Sequence, residues 1–259
     1  MQEVECPVYC SFYMLSKSQI SFIKSLHQKK YRKENGIFII EGIKSIVEFL
    51  KSDYQLHSIY YTSKISATLP KVSTNINLFE VTETELQKIS TLQTPQSILA
   101  LVHIPIQKEI DVNVLKQQFS LVLDDVQDPG NFGTIIRTAD WFGIKNIICS
   151  ENTVEAYNPK TVQSTMGSLC RVTIQYTALN HFLANVKLPI YGALLNGANI
   201  YQTQWGNEGL ILLGNEGHGI SKELIEKINF PVTIPRFGEA ESLNVAVSAA
   251  IFCSEISRQ

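Results

Sequence analysis

The sequence predicts two consecutive α/β domains, the second built around a parallel sheet. Three observations point there. Strand-like and helix-like apolar patterns alternate along the chain, the strands of the second half read as near-continuous apolar runs, and polar, glycine-bearing loops follow three of those runs. Parallel strands are covered on both faces, so their residues need not alternate between apolar and polar.

Residues 1–13 read as a loose tail carrying Cys6 and Cys10. From about Ser16, a helical pattern places Ile20, Phe22, Ile23 and Leu26 on one broad face. Gly36 punctuates it, GIFIIEG reads as a buried strand, and an amphipathic helix follows over 43–50. Further strands at 57–61, 77–81 and 97–103 complete a small α/β domain over 14–106. The polar stretch 107–119 reads as a linker, and the second domain occupies 120–259. Its strands fall at 120–126, 145–149, 189–194, 209–213 and 231–234, with helices at about 132–142, 158–168, 178–185, 221–228 and 243–256.

The bulk numbers exclude several classes. Five scattered cysteines with no CxxC pair argue against a disulfide framework or a zinc knuckle, and the five histidines lack ligand spacing, so no metal is expected. No run approaches the roughly 18 apolar residues of a membrane span. The acidic N-terminus lacks the basic start of a signal peptide, so a soluble cytoplasmic protein is the expectation. A net charge of −2 and a pI near 6.2 weigh against nucleic-acid binding by bulk charge. Locally the picture reverses: Lys17, Lys24, Lys29, Lys30, Arg32 and Lys33 fall within 17–33 with no carboxylate among them. Such a cluster suits phosphates, or is simply a solvated helix face.

The three loops carry the chemistry. In the first, Asp128-Pro129-Gly130 is strong turn chemistry, Asn131 is positioned to cap a helix with the stripe Ile135, Ala139 and Phe142, and Arg137 lies off that stripe. Ligands in parallel sheets bind where strands end and helices begin. The second, Gly214-Asn215-Glu216-Gly217-His218-Gly219, leads to Ser221 as an N-cap; it is neither a Walker loop nor a GxGxxG fingerprint. In the third, Ile234-Pro235 is followed by Ser242 as an N-cap and by a stripe of Leu243, Ala246, Val247 and Ala250. Asn244 is a poor helix former in that first turn.

Together and in this order, these loops resemble the three signature motifs of the SpoU (TrmH) family of the SPOUT superfamily, over about residues 119–258. Lys29-Lys30-Tyr31-Arg32, Gly36-Ile37-Phe38 and Glu41-Gly42 are similar to the ribosomal-protein-like substrate-binding domain of many members. The resemblance implies a catalytic domain with a deep trefoil knot, S-adenosylmethionine as cofactor, structured RNA as substrate and a homodimer. It implies 2′-O-methylation of a ribose, with 23S-type rRNA favoured over tRNA by the N-terminal domain. It further implies Arg137, Asn131, Glu216, Ser242 and Asn244 as catalytic residues. Gly214, Asn215, Ile234, Leu243 and Leu195 would be cofactor contacts, and Lys29, Lys30 and Arg32 RNA contacts. A catalytically silent RNA-binding relative is the alternative.

Overall fold

The computed structural model describes residues 14–107 and 109–258, so the expected tail with Cys6 and Cys10 lies outside the described residues. The chain forms two compact units that divide between Pro105 and Ile106.

The first unit is a four-stranded sheet with helices on it. Its strands are β1 (Ile37–Glu41), β2 (Leu56–Tyr61), β3 (Asn77–Glu80) and β4 (Ile98–His103), in the order β1-β4-β2-β3. The two pairings of β4 are antiparallel, and β2 with β3 is parallel. Helices α1 (Lys17–Ser25) and α4 (Glu83–Ile89) pack together, and Ile23, Leu86 and Ile89 join Ile37, Ile39 and Leu101 in one core. The intervening Phe38 meets Phe49 of α3 (Ile43–Leu50) edge-on, at 5.9 Å between ring centroids. Both faces of β1 are therefore buried, which is why its sequence is an unbroken apolar run.

Between α1 and β1 lies a helix without apolar periodicity, α2 (Lys29–Asn35), ended by Gly36 in the left-handed region at φ +62. Lys29 and Lys30 are exposed on it, the latter 3.9 Å from Glu34. Arg32 departs from expectation. It is 2% exposed, and its Nη1 donates to the carbonyls of Leu26 and His27, 2.9 Å each. Those carbonyls terminate α1 and would otherwise be buried without donors. Arg32 is thus a structural strut with its guanidinium turned into the fold.

The second unit holds β5 (Phe119–Leu123), β6 (Asn146–Ser150), β7 (Thr173–Thr177), β8 (Ile190–Asn199), β9 (Gly209–Leu213) and β10 (Phe230–Thr233), in the order β10-β8-β9-β5-β6-β7 with every neighbouring pair parallel. One face is covered by α7 (Leu179–Asn185) and α8 (Lys222–Ile225), whose Leu179, Leu183 and Leu224 pack with Val122, Ile148 and Leu212. Elsewhere α5 (Pro129–Trp141) packs between α6 (Pro159–Thr165) and α9 (Val245–Ser257). Leu115, within the stretch read as a linker, is buried in this unit's core. In α9 the buried residues are Val245, Ala246, Ala249, Phe252, Cys253 and Ile256, so of the stripe Leu243, Ala246, Val247 and Ala250 only Ala246 lies on the core face. Burial there pushes the Cys253 thiol up to about 12, leaving it protonated.

Arg32→Leu is expected to destabilise the first unit by about 2–4 kcal/mol, because two buried carbonyls lose their donor. Hydrogen exchange of the β1 amides reads this, with Lys30→Ala unchanged within about 0.5 kcal/mol.

Candidate active site

With all six strands parallel, their carboxyl ends share one edge of the sheet, and the loops leaving β5, β9 and β10 start there. The loop after β5 begins with Asp125, a non-glycine residue in the left-handed region at φ +56. Several bonds hold it: its N–H donates to Ser150 Oγ (2.8 Å), its carbonyl accepts from Asn215 Nδ2 (2.7 Å), its Oδ1 accepts from Gln127 Nε2, and its Oδ2 lies 3.3 Å from His218 Nε2. Aspartate tolerates this conformation better than most residues.

The loop after β9 closes on itself. Asn215 and Gly219 exchange two backbone bonds of 3.0 Å, and Asn215 Oδ1 accepts from the N–H of Gly217 at 2.7 Å. Gly214 cannot be replaced at this crossing, since a Cβ there would sit 2.2 Å from the backbone of Gly219 and Ile220. Below it, Asp124 Oδ2 accepts from the N–H of Ser221 (2.8 Å).

One chain of hydrogen bonds joins the three loops. Asn131 Nδ2 donates to Glu216 Oε1 (3.0 Å), and Asn131 Oδ1 accepts from Asn244 Nδ2 (2.8 Å). Glu216 also lies 3.4 Å from the backbone nitrogens of Gln127 and Asp128. Ser221 is the N-cap of α8 as expected, but the caps expected at Asn131 and Ser242 lie elsewhere. Asp128 is the N-cap of α5, accepting from the N–H of Asn131 (2.8 Å) with Pro129 as the first helical residue. This frees the Asn131 side chain to bridge the loops. Likewise Asn244 caps α9, accepting from Ala246 (2.8 Å) and Val247 (3.3 Å), while Ser242 is exposed two residues earlier. Asn244 is in the first turn because it makes that turn.

The Asn131 N–H, chiefly, holds the Asp128 carboxyl below its usual range, outweighing burial, and Lys160 at 3.6 Å adds to the effect. A lowered carboxylate pKa contributes stability that is complete above the ordinary value of about 3.9 and is lost as pH falls through the lowered one.

Arg137 projects from the exposed side of α5 and is not part of this chain of bonds; its Nη1 lies 3.0 Å from Met166 Sδ. Nothing in the sequence pattern signalled Met166. Thr233, the last residue of β10 before Ile234, donates through Oγ1 to the carbonyl of Leu195 in the middle of β8 (3.1 Å). Leu195 is 76% and Leu243 50% exposed, so two large apolar side chains stand in the open at the loop edge, with Ile234 half-buried.

Residues 118–254 match the model of the SpoU rRNA Methylase family. The chain belongs to that family. Residues 17–100 match the MRM3-like substrate binding domain. The chain is 35% identical over 233 residues to the 23S rRNA (guanosine(2553)-2′-O)-methyltransferase RlmP of Bacillus subtilis, covering 88% of this chain and 91% of that one. Among solved structures, a TrmH-family protein from Porphyromonas gingivalis superposes with a TM-score of 0.87 at 37% identity, covering 95% of this chain and 99% of the other. An AdoMet-bound rRNA methyltransferase from Sinorhizobium meliloti superposes with a TM-score of 0.84 at 26% identity, covering 95% and 97%. The two domain matches bracket the observed division between the units, and the fold is that of SpoU/TrmH methyltransferases.

In this SpoU domain, Asn131→Asp sets a carboxylate against Glu216 and removes the amide donor. It is expected to destabilise the second unit by about 1–3 kcal/mol. The deficit relative to wild type is read from thermal unfolding. Asp128→Asn retains a capping side chain but removes one titrating carboxyl, so its stability falls less steeply than that of the wild type below pH 4.

Proposed function

We propose that the protein transfers the methyl group of S-adenosylmethionine to a ribose 2′-hydroxyl of structured RNA, with 23S-type rRNA as the substrate. The observation that carries this reading is the Glu216–Asn131–Asn244 chain, which locks three motif loops together at the carboxyl edge of a parallel sheet. The likeness to a 23S rRNA 2′-O-methyltransferase over most of the chain supports the substrate, and the AdoMet-bound neighbour supports the cofactor.

The residues fit that cofactor. Leu195 and Leu243 offer exposed apolar surface to an adenine, while backbone groups of Gly214 and Ile234 and the second lone pair of the Asn215 carbonyl meet its polar edges. S-adenosylmethionine, when bound, supplies an electrophilic methyl group. The protein's own task is to hold a ribose oxygen in line and ease removal of its proton. Arg137 is a poor base, because a guanidinium in a protein is hardly ever neutral. In this reading it stays charged, grips a neighbouring RNA phosphate through two N–H groups and favours the developing alkoxide electrostatically. The 2′-hydroxyl proton then leaves to water or a phosphate oxygen. Asn131, Glu216, Ser242 and Asn244 position RNA and cofactor, and Lys29 and Lys30 hold RNA phosphates from the first domain.

The active form in this proposal is a homodimer. Its support is a groove between α5 and α9 lined by Thr134, Thr138, Val247, Ala250 and Ile251, an apolar side of α9 that the core leaves uncovered. The trefoil knot belongs to the same proposal, supported by the match to the SpoU family. An rRNA substrate implies a cytoplasmic location; no helix among the described residues is long and apolar enough to cross a membrane.

The test is methyl transfer from labelled S-adenosylmethionine into total RNA from cells lacking this gene. Label in rRNA, recovered as an alkali-resistant dinucleotide, is expected. Label in tRNA would overturn the substrate, and absence of both label and cofactor binding would overturn the activity. Arg137→Lys is expected to abolish turnover while cofactor affinity stays within a few-fold, measured by calorimetry.

A further inference from the structure

We infer that Met166 is a positioning residue for Arg137, a soft rest that orients the guanidinium without competing for it. The inference rests on the reading of Arg137 as the phosphate-gripping residue of the reaction.

The geometry begins with one face of α5. Gly130, Gly133 and Arg137 are spaced by three and four residues, so they share the face turned to α6. At Gly133 the helices touch by backbone: a Cβ there would sit 2.6 Å from the Thr161 carbonyl oxygen and 2.4 Å from Ser164 Cβ. Thus α6 runs close along α5 and ends one turn beyond that contact, at Met166. That residue is in the left-handed region, φ +50 and ψ +36, which is uncommon for a side chain of this size. Its sulfur lies 3.0 Å from Arg137 Nη1, although the side chain is half exposed and free of core packing demands.

The nearest carboxylate on α5 is kept away from Arg137. Asp140, three residues on, is within helical reach, but Arg171 holds it through Nε (3.0 Å to each oxygen) and Nη2 (2.7 Å). Arg137 is left with a thioether. A thioether is an uncharged, weak acceptor, so it narrows the positions of a long side chain yet yields to a phosphate oxygen, which binds guanidinium far more strongly. A carboxylate at position 166 would neutralise the charge that the reaction needs.

The chain contains three methionines, so methyl-labelled methionine gives a spectrum in which the Met166 resonance is identified by its loss in Met166→Leu. Arg137→Lys is expected to shift that resonance in the intact protein. Met166→Leu keeps the volume and the backbone demand but removes the acceptor. It is expected to lower kcat about fivefold, the scale of a sulfur contact, with KM for RNA and cofactor affinity within twofold. Met166→Gln, which restores an acceptor, should recover most of the loss. A Met166 resonance unmoved by Arg137→Lys, or a Met166→Leu enzyme with wild-type kcat while Arg137→Lys is inactive, overturns the role of Met166 alone. A fully active Arg137→Lys enzyme overturns the reading of Arg137 and this inference with it.

Discussion

The Asn131 amide makes two bonds that few side chains could make together. It donates to a carboxylate on one side and accepts from a second amide on the other. Glu216 and Asn244 belong to loops that leave different strands, and Asn131 is the side chain that bonds to both. A carboxylate in its place repels Glu216, an aliphatic side chain leaves both partners unpaired, and a lysine cannot accept from Asn244. The sheet sets where the loops begin; one neutral side chain sets how they meet.

That arrangement frees the remaining motif residues from structural duty. Arg137, Ser242 and Leu243 are exposed, and none is needed to satisfy the fold. The loops stay ordered through their own backbones instead, as in the closed turn of Asn215 and Gly219 and the Asp125 carbonyl bonded to Asn215. A rigid frame carrying uncommitted polar groups is what a site for an incoming polyanion requires.

Much of this was legible in the residues, and the errors have physical reasons. The buried strands declared themselves as apolar runs. β7 did not, because Thr173–Thr177 is the edge strand of its sheet and is only partly buried, so it has no such run to show. α2 was passed over since KKYRKEN has no apolar face; Gly36 at its end is the only local cue. The cap at Asp128 could have been read from Pro129, which favours the first helical position. In α9, apolar residues lie almost all round the helix, so no single stripe could be chosen from periodicity. Arg32 is the instructive case: among five basic neighbours it looked like a surface charge, and only the path of the chain reveals two carbonyls awaiting it. The three motif loops were found through their resemblance as a set, while the bonds between them depend on the fold.

The pairing of Asp140 with Arg171 has a consequence for approach as well as for contact. Among the described residues Arg137 has no carboxylate partner, so its field is not cancelled locally, whereas the whole chain carries a net −2. Beyond a Debye length of about 8 Å at physiological ionic strength, a nucleic acid meets a nearly neutral, slightly repellent body. Only inside that distance does it meet the uncancelled cation. Steering by net charge is therefore weak, and the attraction that Arg137 adds acts over the last few ångströms, where shape can be read.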